Sequence, residues 1–211
     1  MRQALACIAA AFCAVAMSAT ESRGADEFQQ SGERAEAELA AHAPGIGSDF
    51  RLRDPAGRVR SLGDFAGKVV VLYFGYTYCP DVCPTDLAQI AKALRALGPL
   101  AREVQPLFIT LDPARDSPRA LREYVHSFDP RMIALRGSEA EVRQVAEAFR
   151  VPFRRVPRAR GGYDIEHAAF TFVLDRDGRY AEYLPPGTPA GRTEQVLREV
   201  LEATRLGHPT S

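Results

Sequence analysis

Residues 69–85 read Val-Val-Val-Leu-Tyr-Phe-Gly-Tyr-Thr-Tyr-Cys-Pro-Asp-Val-Cys-Pro-Thr, a continuous apolar run that stops at Gly75 and leads into two cysteines four positions apart. A run rich in β-branched and aromatic residues, with no polar alternation, reads as a strand buried on both faces, as a parallel sheet requires. The period then changes. Leu87, Ile90, Ala91, Leu94 and Leu97 recur at helical spacing up to Gly98, which is placed to cap the helix. Cys79 and Cys83 fall at the start of this helical pattern, where residues four apart share a face and their sulfurs converge. Free N–H groups and the positive dipole end favour thiolates there, so both sulfurs could ionise. Such a pair can close a disulfide, attack a disulfide of another molecule, or bind a soft metal such as Cu(I), and the spacing does not choose among these.

Towards the N-terminus, Asp64 to Lys68 turns the chain into the strand. Before it, Phe50 and Leu52 alternate with arginines, Asp54-Pro55-Ala56-Gly57 makes a turn, and Val59 to Leu62 resumes, which spells a β-hairpin. Residues 19–47 are rich in Ala, Glu, Gly and Ser with scarcely an apolar stripe, and read as a mobile linker with at most a transient helix over Glu33 to Ala41. His42 reads as a solvated linker residue. Residues 1–18 carry Arg2, an apolar run from Ala4 to Met17 and then small residues, the layout of a secretory signal cleaved after Ser18. At about 14 residues the run is short for a bilayer span, so an uncleaved anchor that ties the chain to a membrane ranks second. Removal of the segment would take Cys7 and Cys13 with it. An exported chain left with Cys79 and Cys83 alone has no disulfide framework, so the pair is a local device.

Towards the C-terminus, Val104 to Leu111 is a second buried strand, with Pro106 near its start, broken by Asp112-Pro113. Ser117 and Pro118 open a helix that buries Leu121, Tyr124, Val125 and Phe128. Met132 to Leu135 is a short strand, and Ser138 with Glu141 forms a capping box for a helix through Val142, Val145, Ala146 and Phe149. Val151 to Val156 is strand-like and Arg158 to Gly162 is loop. Ala168 to Leu174 pairs through Asp175-Arg176-Asp177-Gly178 with Tyr180 to Tyr183 as a second hairpin. A closing helix carries Val196, Leu197, Val200 and Leu201 inward, and residues 207–211 are a tail. This order predicts an α/β domain over 48–206: a thioredoxin-like fold with an N-terminal β-hairpin and an inserted helix.

The whole chain sets limits on function. Its 211 residues are 46% hydrophobic and balance 27 basic against 27 acidic groups, which fits one ordinary domain and leaves no electrostatic footprint for nucleic acid. Arg154, Arg155, Arg158 and Arg160 form the one basic cluster, read as a solvated loop that could dock an acidic partner.

Three motifs sharpen the reading: Gly75-Tyr76-Thr77-Tyr78-Cys79-Pro80-Asp81-Val82-Cys83-Pro84, then Leu111-Asp112-Pro113 with Arg115-Asp116-Ser117-Pro118, then a lone histidine ahead of the strand that leads to Asp175-Arg176-Asp177-Gly178. Together they resemble the Sco/SenC family over roughly residues 47–206. The resemblance implies a copper chaperone, in the periplasm or on the outer face of the respiratory membrane. Such a protein receives copper from another donor protein and delivers it to the dinuclear copper A subunit of cytochrome c oxidase. It also implies one copper, Cu(I) or Cu(II), per chain, held by Cys79, Cys83 and His167. The family usually has Asp-His-Ser at this histidine; here Glu166-His167-Ala168 keeps the carboxylate and loses the hydroxyl.

The residues themselves support that ligand set. A lone histidine beside a strand is in general more often structural than a ligand. In a thioredoxin-like enzyme, however, the residue just before the penultimate strand faces the cysteines and is commonly a cis-proline, and this chain has His167 there. Two thiolates and an imidazole suit copper in either oxidation state, whereas zinc usually wants a fourth ligand. Glu166 and Asp112 are candidate outer-shell groups, Glu166 to orient the imidazole and Asp112 at the rim of the neighbouring strand. Tyr76 and Tyr78 read as packing and rim residues. The alternative function is a periplasmic thiol–disulfide oxidoreductase that acts without metal through Cys79 and Cys83, against which stand the three-residue spacer and the histidine in place of proline. A peroxidase would need a threonine three residues before its cysteine, and Thr77 is two before Cys79.

Overall fold

The computed structural model of the chain describes residues 24–205. The secretory segment expected at 1–18 and the tail at 207–211 lie outside the described residues. Among the described residues no helix is long and apolar enough to cross a membrane.

The apolar run forms β3 (Val69–Gly75), every residue of it buried. It lies at the centre of a five-stranded sheet whose spatial order is β5 (Ile133–Leu135), β4 (Val104–Thr110), β3, β8 (Thr171–Leu174) and β9 (Tyr180–Leu184). β3 pairs in parallel with β4, from Val69↔Val104 to Gly75↔Thr110, and antiparallel with β8, from Val70↔Leu174 to Tyr73↔Thr171. A strand buried on both faces needs a helical layer on each side, since its side chains alternate between them. α2 (Val82–Ala96) and α5 (Ala190–Arg205) pack against one another as one such layer, with Leu87, Leu94, Leu197 and Leu201 sealed inside. On another flank Phe74 and Phe172 meet Phe149, with ring centroids 5.3–5.9 Å apart. This is the thioredoxin-like arrangement expected from the order of elements.

Local signals hold where expected. α3 (Pro118–His126) has Ser117 accepting from the Ala120 N–H, and α4 (Glu139–Ala148), the inserted helix, has the Ser138–Glu141 capping box. The N-terminal hairpin is β1 (Leu52–Arg53) with β2 (Val59–Arg60), its turn built around the buried carboxylate of Asp54, which accepts from the Ala56 and Arg58 N–H groups.

Three expectations are corrected. Residues 24–40, read as part of a mobile linker, form a helix, α1, that docks on the domain. Leu39 is fully buried, the Leu39 carbonyl accepts from Tyr180 Oη at 3.0 Å, and Glu38 pairs with Arg150 at 2.9 Å. His42, far from idle in a linker, bonds the Ala181 carbonyl through Nε2 at 3.1 Å and packs its ring on Tyr180. Its apolar stripe is short because only one narrow face meets the sheet edge, too little to register as periodicity.

The second correction is a strand. Residues 163–167 form β7 (Tyr163–His167), which pairs antiparallel with β6 (Phe153–Pro157) as a two-stranded ribbon outside the main sheet. The third is the basic cluster. Arg154 pairs with Glu166, Arg155 with Glu139 and Arg158 with Asp164, so three of the four arginines have a carboxylate beside them, while Arg160 stays exposed in the loop as expected.

Candidate metal centre

Gly75 ends β3 and the chain turns through Tyr76 to Asp81 into α2. A Cβ on Gly75 would lie 3.0 Å from Cys83 Sγ and 3.0 Å from the rings of Phe108 and Tyr73, so glycine lets the thiol seat against the strand end. Cys83 lies inside the first turn of α2 and is buried. Cys79 lies before the helix, and this corrects the picture of two cysteines stacked on one helical face. The sulfurs meet for another reason: Asp81, at the N-cap position, makes no side-chain cap, and the Cys83 N–H instead donates to Cys79 Sγ at 3.4 Å. A sulfur thus fills a capping role that oxygen usually takes.

The turn is pinned from the β4 side. The buried carboxylate of Asp116 accepts from the Thr77 N–H at 3.1 Å, from Thr77 Oγ1 at 2.6 Å and from Thr110 Oγ1 at 2.5 Å. Burial pushes the Asp116 carboxyl up, while these donors pull it back. Below the site, Tyr73 Oη donates to Asp86, which also takes the Gly187 N–H at 2.8 Å.

His167 arrives as the last residue of β7, with Nε2 3.6 Å from Cys83 Sγ. The Tyr76 ring stands edge-on to the imidazole at 6.1 Å. The two sulfurs and one ring nitrogen all lie within 4.8 Å of one another. His167 Nδ1 is buried and has no hydrogen-bond partner among the described residues. A buried ring nitrogen left unpaired is costly, and among the described residues the imidazole has polar company only on its Nε2 side, at the thiols.

The two thiols are not equivalent. Cys79 is drawn down to about 4, first by the hydrogen bond from the Cys83 thiol and then by His167 and the Cys83 N–H, against the opposing cost of burial. Cys83 is pushed far up, because it gives that bond to Cys79 and is itself buried. The pair therefore carries one thiolate, on the half-exposed Cys79, and one proton, on Cys83, instead of ionising at both sulfurs. Cys79 opens into a groove of about 560 Å³, walled by Pro80, Ile165 and His167 on one side and by Ala25 and Phe28 of α1 on the other.

Both outer-shell candidates go elsewhere. Glu166 lines the same groove as His167, but its carboxylate pairs with Arg154 at 2.7 Å and no hydrogen bond joins it to the imidazole among the described residues. Asp112 is fully buried; its carboxylate takes Arg115 and, at 2.8 Å, Tyr163 Oη. Sequence reasoning left Arg115, Asp116 and Tyr163 without a role. Period-2 alternation in Tyr163-Asp164-Ile165-Glu166-His167 after Gly161-Gly162 was the available signal for β7.

A mixed sheet with a cysteine pair at the carboxyl end of its central strand, faced by an imidazole, defines a thioredoxin-like domain adapted to hold a soft metal or exchange disulfides. The family model SCO1/SenC matches residues 39–202, and the chain belongs to that family. A mitochondrial SCO2 homolog of Bos taurus is 37% identical over 194 residues, which cover 90% of this chain and 70% of that protein. An SCO2-like protein of Rickettsia prowazekii is 37% identical over 140 residues, 65% of this chain and 68% of its own. Among solved structures, copper-bound ScoI of Bradyrhizobium japonicum superposes with a TM-score of 0.68 at 37% identity, over 74% of this chain and 99% of that one. Copper-bound yeast Sco1 gives 0.68 at 32% identity, over 77% and 90%.

Proposed function

We propose that this chain is a copper chaperone that holds one copper ion through Cys79, Cys83 and His167 and passes it to the dinuclear copper A site of cytochrome c oxidase. The observation that carries the reading is the convergence of two thiols and an unencumbered imidazole within 4.8 Å beside an open groove. Sulfur is soft enough for Cu(I) and the nitrogen helps hold Cu(II), so one site can accept copper in either state. Binding displaces the shared proton from Cys83, so affinity falls as the medium is acidified. Work outside the cytoplasm, in the periplasm or on the outer face of the respiratory membrane, is supported by the secretory layout of residues 1–18 and by the family; a donor protein and the oxidase subunit are the corresponding partners.

A second reading, thiol–disulfide exchange with the client's cysteines, rests on the unequal thiols. Cys79 thiolate attacks a client disulfide and forms a mixed disulfide; Cys83 sulfur then displaces the client, and the Cys83 proton goes to the leaving thiolate. The chain ends as the Cys79–Cys83 disulfide and the client as a dithiol. That disulfide has no thiolate left for metal, so the two activities alternate.

His167→Ala separates them. Exchange with a small disulfide uses the sulfurs alone and should stay within about three-fold, while the sulfur-to-Cu(II) charge-transfer absorption is lost and Cu(II) affinity falls by more than the roughly 10- to 100-fold typical of an outer-shell loss. Cys79→Ser or Cys83→Ser should abolish tight binding of either ion. Full oxidase assembly by the histidine variant under scarce copper would refute delivery through this site and leave the exchange reading.

A further inference from the structure

We propose that Arg115 is a positioning residue, the clamp that sets the imidazole of His167 at its working distance from the two thiols. The need for a clamp follows from the topology. Cys79 and Cys83 are fixed by β3 and α2, within the main sheet and its helical layer. His167 belongs to β7, which among the described residues pairs in a ladder with β6 and with no strand of the five-stranded sheet. A two-stranded ribbon is at best marginally stable by itself, so something else must tie its position to the cysteine turn.

Arg115 is where the pieces meet. Its guanidinium forms an ion pair with Asp112, at the end of β4, and Nη1 donates to the Tyr163 carbonyl, the first residue of β7, at 2.8 Å. The same plane lies 3.8 Å from the Tyr163 ring centroid, 5.1 Å from that of Tyr78 and 5.9 Å from that of Tyr76. Tyr163 Oη closes the circuit on Asp112. One cation therefore touches the β4 end, the ribbon and both tyrosines of the cysteine turn, and Tyr76 in turn contacts His167.

Stability alone is a poor reason for this arrangement. Arg115 Nη2 is buried without a partner among the described residues, which costs free energy, and a largely buried ion pair is weak evidence of net stabilisation. What a planar guanidinium adds over an apolar residue is geometry: two donor directions and two faces held in one rigid plane, which an ammonium cannot reproduce. Arg115 is hydrogen-bonded to the ribbon and meets the cysteine turn only through the ring faces of Tyr76 and Tyr78, whereas the hydrogen bonds that pin that turn come from Asp116 to Thr77.

The inference rests on the copper reading, and its test separates the two. Arg115→Lys keeps the charge and Arg115→Met keeps the bulk; each is compared with wild type for Cu(I) affinity, Cu(II) affinity with its charge-transfer spectrum, and amide hydrogen exchange of the copper-free chain. Loss of the clamp should lower Cu(II) affinity about 10- to 100-fold and shift the spectrum, while Cu(I), which the sulfurs alone can hold, stays within about three-fold. Protection of the β6–β7 amides should fall while that of β3 and β4 is kept. A variant that weakens both ions equally, or lowers protection everywhere, would assign Arg115 to general stability and overturn the proposal. So would a variant with the wild-type spectrum and wild-type ribbon exchange. Arg115→Lys is the milder change and decides if Arg115→Met does not fold. If the wild-type chain binds no copper, the copper reading fails, and ribbon exchange in the copper-free chain still decides for or against the clamp.

Discussion

At the scale of single residues, the asymmetry between Cys79 and Cys83 has a consequence for pH. Cys79 falls from an unfolded value near 9.0 to about 4, so its contribution to the stability of the reduced protein is present above about 9 and is lost as pH falls towards 4. Cys83 is raised from the same value, so its contribution is present below about 9 and is lost as pH climbs. The reduced domain should therefore gain stability from pH 5 to pH 8 by more than Cys79→Ser gains. Denaturant midpoints of the two proteins across that range check this, and parallel profiles would mean that Cys79 is not a native-state thiolate. Alkylation should likewise go first to Cys79, with its rate varying little between pH 6 and 8 because the thiolate fraction is already near one.

At the scale of elements, the sequence announces those whose signals are local. β3 is a solid apolar run, α3 and α4 carry their caps, and the cysteine turn and its histidine are visible by motif. What escaped depends on contacts distant in the chain. α1 is held by Leu39 against Tyr180 and by Glu38 against Arg150, partners more than a hundred residues away, so its composition alone resembles a linker. Glu166 is the carboxylate adjacent to His167 in sequence, yet its partner is Arg154, twelve residues away across the ribbon. Asp112 follows the end of β4, and its charge is matched by Arg115. The docking of α1 has a measurable consequence: Leu39 is fully buried, and Leu39→Ala should cost about 2–5 kcal/mol as a large-to-small change in a packed site. A loss below about 0.5 kcal/mol, the range of a neutral surface change, would return residues 24–40 to the status of a linker.

At the scale of the whole molecule, the two ends of the described chain lie at opposite poles. α5 finishes beside the entry to the sheet, where Arg176 reaches Thr204 Oγ1 and the Gly67 carbonyl, and Arg205 reaches Glu103 just before β4. The cysteines follow the other end of β3, about 20 Å away along the strand. α1, roughly 25 Å long, begins on the cysteine side, where the Gly24 carbonyl accepts from Arg154 at 2.6 Å and Phe28 packs under the same guanidinium. A chain fastened to a sensor surface just ahead of Gly24 should expose Cys79 to a bulky thiol reagent several-fold more slowly than one fastened after Arg205, and equal rates would contradict this layout. The start of α1 and the mouth of the cysteine groove thus share one side, so a support attached just ahead of Gly24 would face the copper-carrying mouth.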